Sequence, residues 1–82
     1  MKEIMYARID QLNAQQMTEV FQIAQVFKVD VVDINNDSAI LECRLTEHRN
    51  NELVNLLKSK FKSIHIVRGG AVAIESISTW CR

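Results

Sequence analysis

Few side chains in this chain of 82 residues have the chemistry of a site. His48, His65, Cys43 and Cys81 are donors that transition metals favour. They are scattered, with no two set on one helical turn, and zinc sites draw their ligands from tighter spacings. The pattern therefore offers no metal site. Asp30 and Asp33 come nearest to a carboxylate pair. Residues three apart in an extended segment point to opposite faces, so these two are not expected to act together as acid and base. No Ser-His-Asp or Cys-His set is legible, and the sequence gives no catalytic residue and no cofactor. One remaining feature is Asn13-Ala14-Gln15-Gln16, where a helix is expected to begin. A helix start presents unpaired N–H groups that suit a carboxylate. Against that, Asn13 and Gln16 fit a capping box that uses those donors itself.

Composition narrows the partners. Lys and Arg number ten, as do Asp and Glu, so the formal charge is zero. That balance supplies no electrostatic footprint for nucleic acid or for an anionic membrane. The apolar runs are far too short to span a bilayer. The opening MKEIMYARID carries charge throughout and lacks the apolar run of a signal peptide. Two distant cysteines without a motif fit a reduced, cytoplasmic setting. Apolar residues make up 48% of the chain and aromatics 6%, so the core must be built from aliphatic side chains. The length fits a single domain, 1–82, with a core over about 3–76 and a tail at 77–82.

These residues are positioned by elements that can be read from periodicity. Met5, Ala7 and Ile9 alternate with Ile4, Tyr6 and Arg8, which predicts a strand over 3–10. Asn13 with Gln16, and Leu12 with Met17, are the capping box and the hydrophobic staple of a helix starting at Ala14. Met17, Val20, Phe21, Ala24 and Phe27 form its expected buried stripe. The β-branched run Val29, Val31, Val32 and Ile34 predicts a strand. Asn35-Asn36-Asp37-Ser38 turns the chain, and Ala39, Leu41, Cys43 and Leu45 alternate with Ile40, Glu42, Arg44 and Thr46 in the next strand. Cys43 falls on the core side as a small hydrophobe. Thr46 is the expected N-cap of a second helix running to about residue 61, burying Leu53, Leu56, Leu57 and Phe61. A strand over 64–67 follows, broken at Arg68-Gly69-Gly70, with a short strand at 71–75.

Strand, helix, strand, strand, helix, strand is the split βαβ, ferredoxin-like order. The expected fold is α+β: a βαββαβ sandwich with two helices on one face of an antiparallel sheet. The opposite face is expected to carry Ile4, Tyr6, Val31, Ile40 and Val67, with His65 nearby. Two readings of that face stand. It is ordinary surface apolarity, or it is the surface of a dimer or a partner. The same fold hosts RNA-recognition domains, but the strand aromatics here reduce to Tyr6. It also hosts acylphosphatases, whose arginine-bearing anion loop has no counterpart in Gln11-Leu12-Asn13.

The chain carries Val31-Val32-Asp33-Ile34, Asp37-Ser38, Glu42, the leucines from Leu53 to Leu57, the apolar strand Ile64 to Val67, Arg68-Gly69-Gly70 and Val72-Ala73-Ile74 in that order. Together these motifs resemble those of one family, the C-terminal domain of the acetolactate (acetohydroxyacid) synthase small subunit, which is ACT-like. The resemblance covers roughly 3–76. It departs at Gly69-Gly70, where the family has Thr-Gly, and at His65. The family's N-terminal ACT domain, where its feedback amino acid binds, has no counterpart, so no valine site carries over. The chain reads equally as a fragment of such a subunit or as a shortened homologue.

The resemblance implies a non-catalytic regulatory module of branched-chain amino-acid biosynthesis. Such a module associates with itself and with the thiamine-diphosphate-dependent large subunit. In ACT-like folds an amino-acid effector sits at the first helix start, here Asn13, Ala14 and Gln15. The expected partner surface comprises Tyr6, Val31, Ile40, His65, Val67 and Arg68. Arg68 is a candidate polar anchor, because arginine forks pair with carboxylates and are enriched at interface hot spots. It reads equally as a solvated residue before a tight turn. The alternative is a free-standing amino-acid-sensing ACT-like domain that serves another enzyme or a transcription factor. A small catalytic ferredoxin-like protein is the third reading.

Overall fold

The computed structural model of the chain describes residues 2–69. Gly70, the expected strand at 71–75 with its Val72-Ala73-Ile74 motif, the tail at 77–82 and Cys81 lie outside the described residues. The elements follow the expected order: β1 (Lys2–Asp10), α1 (Ala14–Phe27), β2 (Asp30–Ile34), β3 (Ala39–Thr46), α2 (Glu47–Lys60) and β4 (Ser63–Arg68). The sheet is antiparallel in the order β2-β3-β1-β4, so the two central strands are not consecutive in sequence. This is the ferredoxin-like arrangement.

Local chemistry sets the boundaries. Asn13 Oδ1 accepts from the Gln16 N–H at 2.8 Å, and Gln16 Oε1 accepts from the Asn13 N–H at 3.0 Å. This is the complete capping box, and α1 begins at Ala14 as expected. Thr46 caps α2 by accepting from the Arg49 N–H. Lys28 ends α1 with φ +58°, a left-handed cap in which its N–H donates to the helix's last carbonyls. Beyond β4, Gly69 has φ +116°, a conformation that L side chains rarely adopt, and its N–H donates to the Ile4 carbonyl at 3.1 Å.

Register sorts the strands into two faces. Met5 lies opposite Cys43, Ala7 opposite Leu41 and Ile9 opposite Ala39, all toward the helices. With Leu12, Val20, Ile23, Ala24, Leu53, Leu57 and Phe61 they make the main core. Phe21, expected in that core, is 41% exposed; the buried stripe is Val20, Ile23 and Ala24, with Met17 and Phe27 partly buried beside it. Leu56, also expected inside, is only half-buried. A β-bulge in β2 changes another expectation. Val31 pairs with Leu41 while Asp33 pairs with Ile40, so Val32 is the extra residue. Asp30, opposite Glu42, and Asp33 therefore share the outer face rather than lying on opposite ones.

Candidate functional site

On the outer sheet face Tyr6 and Ile40 are the buried centre of a second apolar cluster, with Ile4 and Val67 packed against them. Tyr6 and Val67 are register partners, and Ile40 faces Arg8 on β1. Tyr6, Ile40 and Val67 are thus brought together as expected. Val31 is not. It pairs with Leu41 and packs into the helix-side core, because it precedes the bulge. Nor is the cluster an open patch, since Tyr6 and Ile40 are each only 5% exposed.

Polar groups frame this cluster. The Tyr6 hydroxyl donates to Glu42 Oε2 at 2.7 Å, and Arg44 Nε donates to Glu42 Oε1 at 3.1 Å. The Tyr6 hydrogen bond, aided by Arg44, holds the Glu42 carboxyl below its ordinary range, and the same bond to Glu42, with burial, raises the Tyr6 phenol. Arg8 Nε donates to Asp10 Oδ1 at 2.9 Å, and His65 Nε2 lies 3.8 Å from Asp10 Oδ2. His65 therefore sits on the outer face, opposite Arg8 in register and beside a carboxylate.

Arg68 is elsewhere. It lies opposite Met5 in register, hence on the helix side, and its fork is held inside the molecule. Nε and Nη2 donate to Glu3 Oε1, and Nη1 donates to Asn51 Oδ1. Asn50 joins from α2, its Nδ2 donating to the same Glu3 oxygen at 3.1 Å. Arg68 first, then Asn50, keeps the Glu3 carboxyl below its ordinary value. Asn50 is fully buried, and its Oδ1 accepts no hydrogen bond from the described residues. This three-element clasp was not legible in the sequence, because Glu3, Asn50 and Asn51 read as unremarkable polar residues far apart in the chain.

At the start of α1, the cap already uses the N–H groups of Asn13 and Gln16, leaving those of Ala14 and Gln15. Cys43 is buried, and desolvation pushes its thiol up to about 12, which keeps it protonated and unreactive. Among the described residues no three His, Cys, Asp or Glu side chains come close enough to hold a metal ion. Among them, too, no helix is long and apolar enough to cross a membrane.

Among the described residues the large hydrophobic side chains left exposed are Phe21, Val26, Val32 and Ile34, from α1 and β2. Sequence reading missed them because helix phase and a bulge decide their exposure. Between the helices runs a groove lined by Ile23, Val26, Phe27 and Leu56, with Glu19 and Lys60 also on its walls. The Arg49 guanidinium lies 4.0 Å from the Phe27 ring centroid, joining the two helices.

Compared with known proteins, the chain matches a family model described as the small subunit of acetolactate synthase, over residues 2–77. No curated protein and no solved structure matches it.

Proposed function

Because the chain belongs to the family of the acetolactate synthase small subunit, we propose that it binds the thiamine-diphosphate-dependent large subunit and changes its rate of acetolactate formation. The family is the regulatory part of that enzyme and not its catalytic part. The match over residues 2–77 is the observation that carries the reading. The fold agrees with it, since the described residues form a packed ferredoxin-like sandwich with apolar and polar surfaces. The setting that follows from this role is the cytoplasm.

Self-association belongs to the same reading. It rests on the family rather than on the outer face, whose central Tyr6 and Ile40 are already buried. Arg68 is a poor anchor for a partner, because its fork is engaged by Glu3 and Asn51. No effector is assigned to Asn13, Ala14 and Gln15, because the capping box occupies the neighbouring donors. The test mixes the purified chain with acetolactate synthase large subunit and measures complex formation and acetolactate production. A complex with an altered rate is expected. No complex and an unchanged rate would reject the proposal.

A further inference from the structure

The formal charge of zero is a sum of unlike edges. Residues 29–38, which hold β2 at one end of the described sheet and its turn, carry Asp30, Asp33 and Asp37 and no lysine or arginine. Residues 58–69, which lead into and include β4 at the other end of the described sheet, carry Lys58, Lys60 and Lys62, besides an Arg68 that is paired with Glu3 of β1, and no acid of their own. The acidic edge is also the apolar one. Val32 is 49% exposed and Ile34 50%, and on the adjoining α1 Phe21 is 41% exposed, whereas Val26 turns toward α2 and the interhelical groove. Apart from Glu19, no residue of α1 is charged, and its exposed positions are otherwise Ala14, Gln15, Thr18, Gln22 and Gln25. An apolar, charge-depleted centre with a polar rim is the anatomy of a protein interface.

From this juxtaposition we infer that the α1–β2 side is the docking face for a partner protein surface that has an apolar centre and a rim of lysine or arginine. That partner is the catalytic subunit, an identification that rests on the function proposed above. Charge selects the occupant. In a two-fold contact between copies the same patch faces itself. Asp30, Asp33 and Asp37 would then be crowded against their own counterparts, with Lys28 at the end of α1 as the nearby cation in sequence. Like charges set against each other suppress such pairing, whereas a basic rim is drawn in and oriented. The charged, bulged and short edge of β2 also resists indiscriminate strand pairing, which leaves its exposed side chains as the recognition element.

The experiment measures binding of the full chain to purified large subunit by titration calorimetry at low and high salt, with sedimentation of each sample. The variants are Phe21→Asp with Ile34→Asp, Asp30→Asn with Asp37→Asn, and Lys62→Gln at the opposite edge. All of these positions are exposed, and circular dichroism melts check that each variant is folded. The expected result is a complex that weakens as salt rises. It should be weakened about tenfold or more by the apolar-to-acid pair. The aspartate neutralisation should flatten its salt dependence, and Lys62→Gln should leave it unchanged. A complex indifferent to both α1–β2 variants would overturn the docking face and leave the regulatory role standing. No complex with the wild-type chain would overturn both. A wild-type dimer, or an open series of oligomers, that dissolves on the α1–β2 substitutions while large-subunit binding persists would give this face to a second copy and overturn the choice of partner.

Discussion

Tyr6 and Glu42 show how much one hydrogen bond decides on an otherwise apolar face. The phenol donates to the carboxylate at 2.7 Å, and both groups shift in the directions that favour this pair. The folded state holds Glu42 below its ordinary 4.5, so Glu42 contributes stability that is present above that value and lost as pH falls through the depressed one. It holds Tyr6 above its ordinary 10.0, so that contribution is present below 10.0 and lost as pH rises through the raised value. Tyr6→Phe should cost about 0.5–1.5 kcal/mol near neutral pH. It should also flatten the alkaline limb of a melting-temperature profile; an unchanged profile would mean that the bond does not stabilise the fold. Glu3 adds to the acid limb through Arg68 and Asn50. Arg68→Ala should therefore lower the melting temperature at neutral pH and narrow the gap between neutral and acidic melts. A melt that stays the same at both pH values would show that the clasp holds nothing. Arg68 was legible as a residue with something to hold. What it holds was not, because Glu3 and Asn51 become its neighbours only when β1, α2 and β4 come together.

The helices are where sequence and structure agree most closely at their ends and least in their phase. Asn13, Gln16 and Thr46 act over one turn, so their caps could be read directly. Burial depends instead on which side of each helix meets the sheet, and that is settled by contacts distant in sequence. Ile23 displaced Phe21 from the core, and Leu56 moved to the wall of the interhelical groove for this reason. Leu57→Ala removes a side chain with 0% exposure and should cost about 2–5 kcal/mol. Leu56→Ala should cost clearly less, and chemical denaturation of the two variants side by side checks the order; an equal loss would mean that Leu56 is enclosed. Lys28 offers the opposite case. It holds φ +58° at the end of α1, where the left-handed backbone costs an ordinary side chain about 1 kcal/mol. Lys28→Gly should therefore raise stability by up to about that amount, read as a higher denaturant midpoint; a lower midpoint would show that the lysine side chain makes a compensating contact.

For the chain as a whole, the order of elements was legible because alternation and helical periodicity switch cleanly along it, and the fold class followed from that order. The family was legible from motifs spread across the hairpin and second helix, and the match over 2–77 bears it out. The acidic, apolar side was hidden because net charge is a sum that carries no position, and because a one-residue bulge moved Asp33 and Val31 to unexpected faces. The strand order has one more consequence. β1 pairs with β3 and β4, and β2 pairs with β3. Every described ladder therefore joins a strand before the Asn35–Ser38 turn to a strand after it, and the Leu12 N–H reaches the Asp37 carbonyl across the same divide. Cut at Asn36, the chain would yield two pieces, neither of which contains two strands that are neighbours in the described sheet. The piece 1–36 alone should give no sheet signal in circular dichroism, and mixing it with the remainder should restore that of the whole domain. A sheet signal from the piece 1–36 alone would refute this. The domain is thus built as a natural split reporter, in which reassembly of the halves and formation of the described sheet are one event.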